Sequence, residues 1–97
     1  MKVDRREVER NLPKKGFRPE RDRRHIYYYH VYNGKETGIS TCISHSKRLQ
    51  DIAGNLLSYV TKQLKLDTTR QAVDLIRCPM DGDEYNKRMM EKGVFSP

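Results

Sequence analysis

The sequence predicts an α+β fold in the order α-β-β-β-α followed by two short helices, on three observations. The run His25 to Tyr32 consists of aromatic, β-branched and histidine residues and ends at Asn33-Gly34, the favoured pair for a tight hairpin turn. Ile52, Leu56, Val60 and Leu64 recur every four residues, the spacing of an amphipathic helix. Asp4 with Glu7, Thr68 with Gln71 and Asp81 with Glu84 are three capping boxes, each a helix start.

The first helix follows Asp4 and carries a narrow apolar stripe of Val3, Val8 and Leu12. It weakens at Pro13 and ends by Gly16, a left-handed C-cap after Lys14 and Lys15. Phe17 to Arg21 reads as a short strand, and Pro19, which has no N–H to donate, makes it an edge strand. Glu20 to Arg24 is a charged connection into the main hairpin, whose second strand runs from Glu36 to Ser44 through Ile39, Thr41 and Ile43. His45 to Asp51 is polar. The next helix begins near Ile52, or as late as Gly54 or Asn55, and ends at Lys62 and Lys65, cations suited to a helix C-terminus. A short helix through Ala72, Val73 and Ile76 stops at Cys78-Pro79. The last one runs through Tyr85, Met89 and Met90 to Gly93 and leaves Val94 to Pro97 as a frayed tail.

A two-residue turn at Asn33-Gly34 sets Tyr32 opposite Lys35 and fixes the remaining pairs. His25 is then expected opposite Cys42, Ile26 opposite Thr41, Tyr27 opposite Ser40, Tyr28 opposite Ile39 and Tyr29 opposite Gly38. Ile26, Tyr28, Ile39 and Ile43 share an apolar face against which helices pack. His25, Tyr27, Tyr29, Ser40 and Cys42 share the more polar face.

Composition narrows the function classes. At 97 residues, 35% hydrophobic and 34% charged, the chain is one modest domain with its apolar residues in periodic runs rather than a disordered segment. No apolar run approaches the roughly 20 residues of a membrane-spanning helix. Met1 to Arg10 lacks the apolar centre of a signal peptide, so a cytoplasmic location is expected. Two cysteines, Cys42 and Cys78, carry no metal-ligand spacing, and neither a zinc site, a disulfide nor any cofactor is expected. The net charge of +7 is uneven: residues 1 to 50 hold 13 Lys/Arg against 6 Asp/Glu, and residues 51 to 97 hold 7 against 7. A basic half joined to a neutral half favours a polyanionic partner such as nucleic acid, with a solubilising surface as the alternative.

Lys15-Gly16-Phe17, His25-Ile26-Tyr27-Tyr28-Tyr29-His30, a turn with Gly34 and a helix ending Lys62-Gln63-Leu64-Lys65-Leu66 together resemble the HicA-like toxins of prokaryotic toxin–antitoxin pairs. The resemblance covers roughly residues 3 to 66. It implies a double-stranded-RNA-binding-domain-like fold over residues 1 to 66, an appended helical pair over 67 to 97 packed on the same domain, and an mRNA-cleaving activity. Family members are similar in a Gly-Ser-His-x-x-aromatic pattern whose histidine is catalytic. His25 and Tyr28 fill the His-x-x-aromatic part, and Arg23 and Arg24 stand at the Gly-Ser positions. The resemblance thus implies His25 as the catalytic residue, RNA as substrate and a HicB-like antitoxin as protein partner.

The residue chemistry is compatible with that. A histidine exchanges protons near neutral pH, as activation of a ribose 2′-hydroxyl against its own phosphodiester requires, and the expected cleavage is metal-independent. Arg21, Arg23 and Arg24 can offset charge on the phosphorane. Tyr27 can stack on a base or hold a phosphate oxygen, and Lys14 and Lys15, helix-end cations in the first instance, are further candidate phosphate contacts. The second acid/base is His25 itself, Tyr27 or His45. The alternatives left open are a non-catalytic module that binds double-stranded RNA or other nucleic acid, and a subunit that docks another protein. For the rings, the alternative for His25 is a hydrogen-bonding histidine at the sheet edge, and His30 is expected on the opposite face in a structural role. The tyrosines are expected to pack the sheet, with a base-stacking platform of Tyr27 and Tyr29 on the open side as the alternative.

Overall fold

The computed structural model describes residues 1–44, 51–77 and 79–96, which leaves His45 and Cys78 outside the described residues. Four α-helices and two antiparallel sheets make an α+β fold among those residues. The elements are β1 (Lys2–Asp4), α1 (Arg5–Asn11), β2 (Phe17–Arg21), β3 (His25–Tyr32), β4 (Lys35–Ser44), β5 (Asp51–Ala53), α2 (Gly54–Gln63), α3 (Thr69–Ile76) and α4 (Gly82–Glu91). The main sheet has the order β2-β3-β4, with the proline-bearing β2 at an edge as expected. A ribbon of β1 and β5 pairs Val3 with Ile52. Ile52 therefore belongs to a strand rather than to the helix its spacing suggested, and the helix begins at Gly54. Three-residue strands are too short to show an alternation of their own.

The local signals act as their chemistry dictates. Asp4 accepts the N–H of Arg6 at 2.7 Å, and Glu7 reaches back to the N–H of Asp4, completing the first capping box. Asp4→Ala is expected to cost about 1 kcal/mol, read as a fall in the midpoint of thermal unfolding by circular dichroism. After α1 the chain tightens into a 3-10 turn at Leu12–Lys15 that places Pro13 early, and Gly16 ends it at φ +92°, in the left-handed region. Thr68 and Gln71 form the reciprocal box that opens α3. Asp81 accepts from Glu84 N at 2.8 Å to open α4, but the expected third box is only half made, since the Glu84 carboxylate accepts from Arg88 instead.

The hairpin departs from its expected register. Tyr32 does face Lys35, and Val31 faces Glu36, but Tyr29 faces Ser40, Tyr28 faces Thr41, Tyr27 faces Cys42, Ile26 faces Ile43 and His25 faces Ser44. Between Glu36 and Ser40, β4 therefore carries two residues more than β3 does between Val31 and Tyr29. Gly38, within this excursion, has φ +91°. A slip of two residues preserves the faces. Ile26, Tyr28, Ile39 and Ile43 are buried with Thr41, while His25, Tyr27, Tyr29, Ser40 and Cys42 are half-buried on the other side.

The apolar face is covered by helices in one continuous core. Val8 and Leu12 from the first helical segment, Leu57 and Val60 from α2, Leu75 and Ile76 from α3, and Tyr85 and Met89 from α4 join Phe17, Ile26 and Tyr28 of the sheet. Met90, expected as core filler beside Met89, is only partly buried. Polar side chains tie the last two helices down by capping main-chain carbonyls. Asn11 Nδ2 donates to Ile76 O at 2.8 Å, Tyr85 Oη to Leu64 O at 2.7 Å, Lys92 Nζ to Lys65 O at 2.6 Å, and Lys15 Nζ to Met80 O. Burial pushes the Tyr85 phenol up, so it remains a donor.

His30 is fully buried as the polar centre of this core. Its Nε2 lies 2.7 Å from Asn86 Oδ1 and its Nδ1 2.8 Å from Thr37 Oγ1, which suits a neutral ring that donates to the amide oxygen and accepts from the hydroxyl. Phe17, Tyr85 and Phe95 surround it at centroid distances of 5.0, 5.2 and 5.3 Å. The tail is accordingly not frayed through residue 95. Val94 N donates to Met89 O at 2.9 Å, and the Phe95 ring fills the space between His30 and Tyr32, where burial outweighs the entropy of a free end.

Candidate nucleic-acid interface

His25 is set in place by the turn before it. Asp22 Oδ1 accepts the N–H groups of Arg24 and His25, each at 2.8 Å, while Asp22 N donates to His25 O at 2.9 Å. Asp22 is thus an Asx-type anchor that starts β3 at His25. Arg23 and Arg24 are exposed on that turn. Across the sheet, Ser44, the partner of His25, receives Arg5 Nη1 on its carbonyl at 3.1 Å. A third guanidinium therefore stands at the same end of the sheet, one that spacing alone did not single out.

From His25 a row of rings runs along the open face. His25 and Tyr27 have centroids 5.9 Å apart at 48°, and Tyr27 and Tyr29 are 6.2 Å apart and nearly parallel at 16°. Arg18 lies over the Tyr29 ring at 5.2 Å, held there by Glu36 and by Glu20 at 3.5 Å. Strand pairing explains the placement: Arg18 faces Tyr29 and Glu20 faces Tyr27, so both stand on the same side as the rings. Arg18 was legible in principle, because Phe17 turning inward obliges its neighbour to turn outward.

Two groups on this face have shifted acidities. The negative charge of Asp22, with some burial, pushes the Tyr27 phenol up, so it is a hydrogen-bond donor at neutral pH. Burial, aided by Asp22, pushes the Cys42 thiol up and keeps it protonated. Cys42 is free and half-buried beside Tyr27, a small packing residue.

The expected cations do not form one cluster. Arg23 and Arg24 stay beside His25, whereas Arg21 pairs with Ile26 and points to the helix side of the sheet. Lys14 is exposed beyond the opposite end of β3, where Phe17 meets His30. Lys15 is 4% exposed, and its ammonium is spent on Met80 O, so it offers no charge to a ligand. That inward turn depends on a carbonyl 65 positions away, for which no local pattern exists.

Among the described residues no group of three or more His, Cys, Asp or Glu side chains could hold a metal ion, and no helix is long and apolar enough to cross a membrane. No protein-family model, curated protein or solved structure matches the chain.

Proposed function

We propose that this protein is an RNA-directed endoribonuclease of the HicA-like type, with His25 as its general acid/base. The observation that carries this is His25 at the start of β3, on the half-exposed face of the sheet, next to Arg23 and Arg24 and in line with Tyr27. A helix, three antiparallel strands and a helix packed on one side of them are compatible with the double-stranded-RNA-binding-domain-like arrangement that the sequence resemblance implies.

In the proposed reaction the ribose 2′-hydroxyl loses its proton to His25 and attacks the adjacent phosphorus. The bond to the 5′-oxygen breaks, and that oxygen takes a proton, leaving a 2′,3′-cyclic phosphate and a 5′-hydroxyl. His25 returns the proton it took, with the Tyr27 hydroxyl donating to a phosphate oxygen and Arg23 and Arg24 offsetting the developing charge. The setting is the cytoplasm, with RNA as substrate and a HicB-like antitoxin as the protein that covers this face.

Labelled RNA incubated with the protein under chelator tests this directly. Cleavage is expected to persist without divalent metal and to vanish at a position carrying 2′-deoxyribose; cutting at the deoxy position would remove the 2′-hydroxyl route. Binding without cleavage is the second reading, favoured by exposed Arg23 and Arg24 where the resembled pattern has Gly-Ser. Salt-dependent retention of uncut RNA selects it.

A further inference from the structure

We infer that Tyr27 and Tyr29 form a base-stacking subsite for an unpaired RNA strand, with Arg18 as the group that holds the Tyr29 ring; this rests on the RNA-directed function proposed above and specifies how the strand is gripped. Two half-exposed aromatic rings stand at alternate positions of a strand, nearly parallel and 6.2 Å apart, with the Arg18 guanidinium over one face of Tyr29. Bases within a duplex follow one another at about 3.4 Å, stacked on each other with their faces closed. The ring spacing is nearly twice that rise, so bases lying on successive tyrosines are separated from one another, as only an unpaired strand permits. Such a platform tolerates any sequence, because every base has a π face.

The surroundings fit this occupant. Arg18 packs its guanidinium over Tyr29, and Glu36 and Glu20 fix that guanidinium in turn, so the ring is braced before any ligand arrives. The row leads to His25, with centroids 5.9 Å from Tyr27, and ends at exposed Arg23 and Arg24. A strand stacked on Tyr29 and Tyr27 therefore carries its next phosphate toward the imidazole and the arginines. A duplex would meet the same face only with its backbone and gain nothing from the rings.

The test is binding of a short, unstructured, 2′-O-methylated oligoribonucleotide, which a 2′-hydroxyl mechanism leaves uncut. Tyr29→Ala is expected to weaken it by about 5- to 150-fold, the value of one stacked base, while Tyr29→Phe binds like the parent. Abasic nucleotides in the oligomer should produce a similar loss with the unaltered protein, and affinity for a duplex of equal length should not respond to Tyr29→Ala. A folded Tyr29→Ala protein with parental affinity overturns the subsite, as does an equal loss on duplex and single strand. If Tyr29→Ala fails to fold, the abasic series on the unaltered protein decides alone. Sensitivity to abasic sites without cleavage of ordinary RNA keeps the subsite and removes the ribonuclease; cleavage without that sensitivity does the reverse.

Discussion

Replacing His25 with alanine is expected to slow RNA cleavage by about 10²- to 10⁴-fold, the usual contribution of a positioned acid/base, while leaving RNA affinity nearly unchanged. The substitution is clean for a structural reason. Asp22 anchors the turn through main-chain N–H groups of Arg24 and His25, and an alanine retains its N–H. The side chain itself is half-exposed on the face away from the core, so its loss opens no cavity there. Arg23 and Arg24, which would carry phosphate binding, keep their places. Gel-resolved cleavage and filter binding, with a thermal melt as control, separate chemistry from affinity. Equal cleavage by the two proteins would take His25 out of the mechanism.

Replacing His30 with alanine is expected to cost about 3–5 kcal/mol, the range for deleting a buried ring, with an unfolding midpoint in urea to match. The ring fills space among Phe17, Tyr85 and Phe95, and it is the partner through which Thr37 of β4 and Asn86 of α4 meet. His30→Phe keeps most of the volume but strands the Asn86 amide oxygen, worth about 1–3 kcal/mol if left unsatisfied, whereas the Thr37 hydroxyl keeps its bonds to the main-chain carbonyl of residue 30 and to Ile39 N.

The same residue gives stability an acid limb. Burial, only partly opposed by the bond to Asn86, holds His30 below its ordinary value of 6.5. The unfolded chain then binds the proton first as pH falls, so stability at neutral pH is retained above 6.5 and declines below it until the folded state is protonated too. Urea titrations above and below pH 6.5 are expected to show that decline in the parent, and His30→Phe should remove the His30 share of it. An unchanged slope in His30→Phe would mean that the carboxylates alone account for the acid limb.

Much of the fold was legible because it rests on local chemistry. Asp4, Thr68 and Asp81 announce their helices within three residues, Gly16 stops the first segment, and Asn33-Gly34 turns the hairpin. The face of each ring was legible too, since alternation has a period of two and the apolar residues all fall on one phase. What failed depended on distant partners. The pairing of His25 with Ser44 instead of Cys42 follows from an excursion around Gly38 that no periodicity records. Lys15 turns inward for Met80, His30 is satisfied by Asn86, and Phe95 docks because His30 and Tyr32 leave it a seat. At the candidate site the histidine, the two turn arginines and the open-side pair Tyr27 and Tyr29 were readable in the chain; Arg18 gained its role only through its cross-strand neighbour.

The excursion of β4 near Gly38 also limits how this hairpin can change length. Insertions or deletions there are tolerable in even steps, since each lets β4 slide along β3 without rotating. A single-residue change taken up as a slip in pairing, rather than as a bulge, would swap interior for exterior along the remainder of β4, sending Thr41 and Ile43 into water and Cys42 and Ser44 into the core. Length changes at that point should therefore come in pairs, or be absorbed there as a bulge.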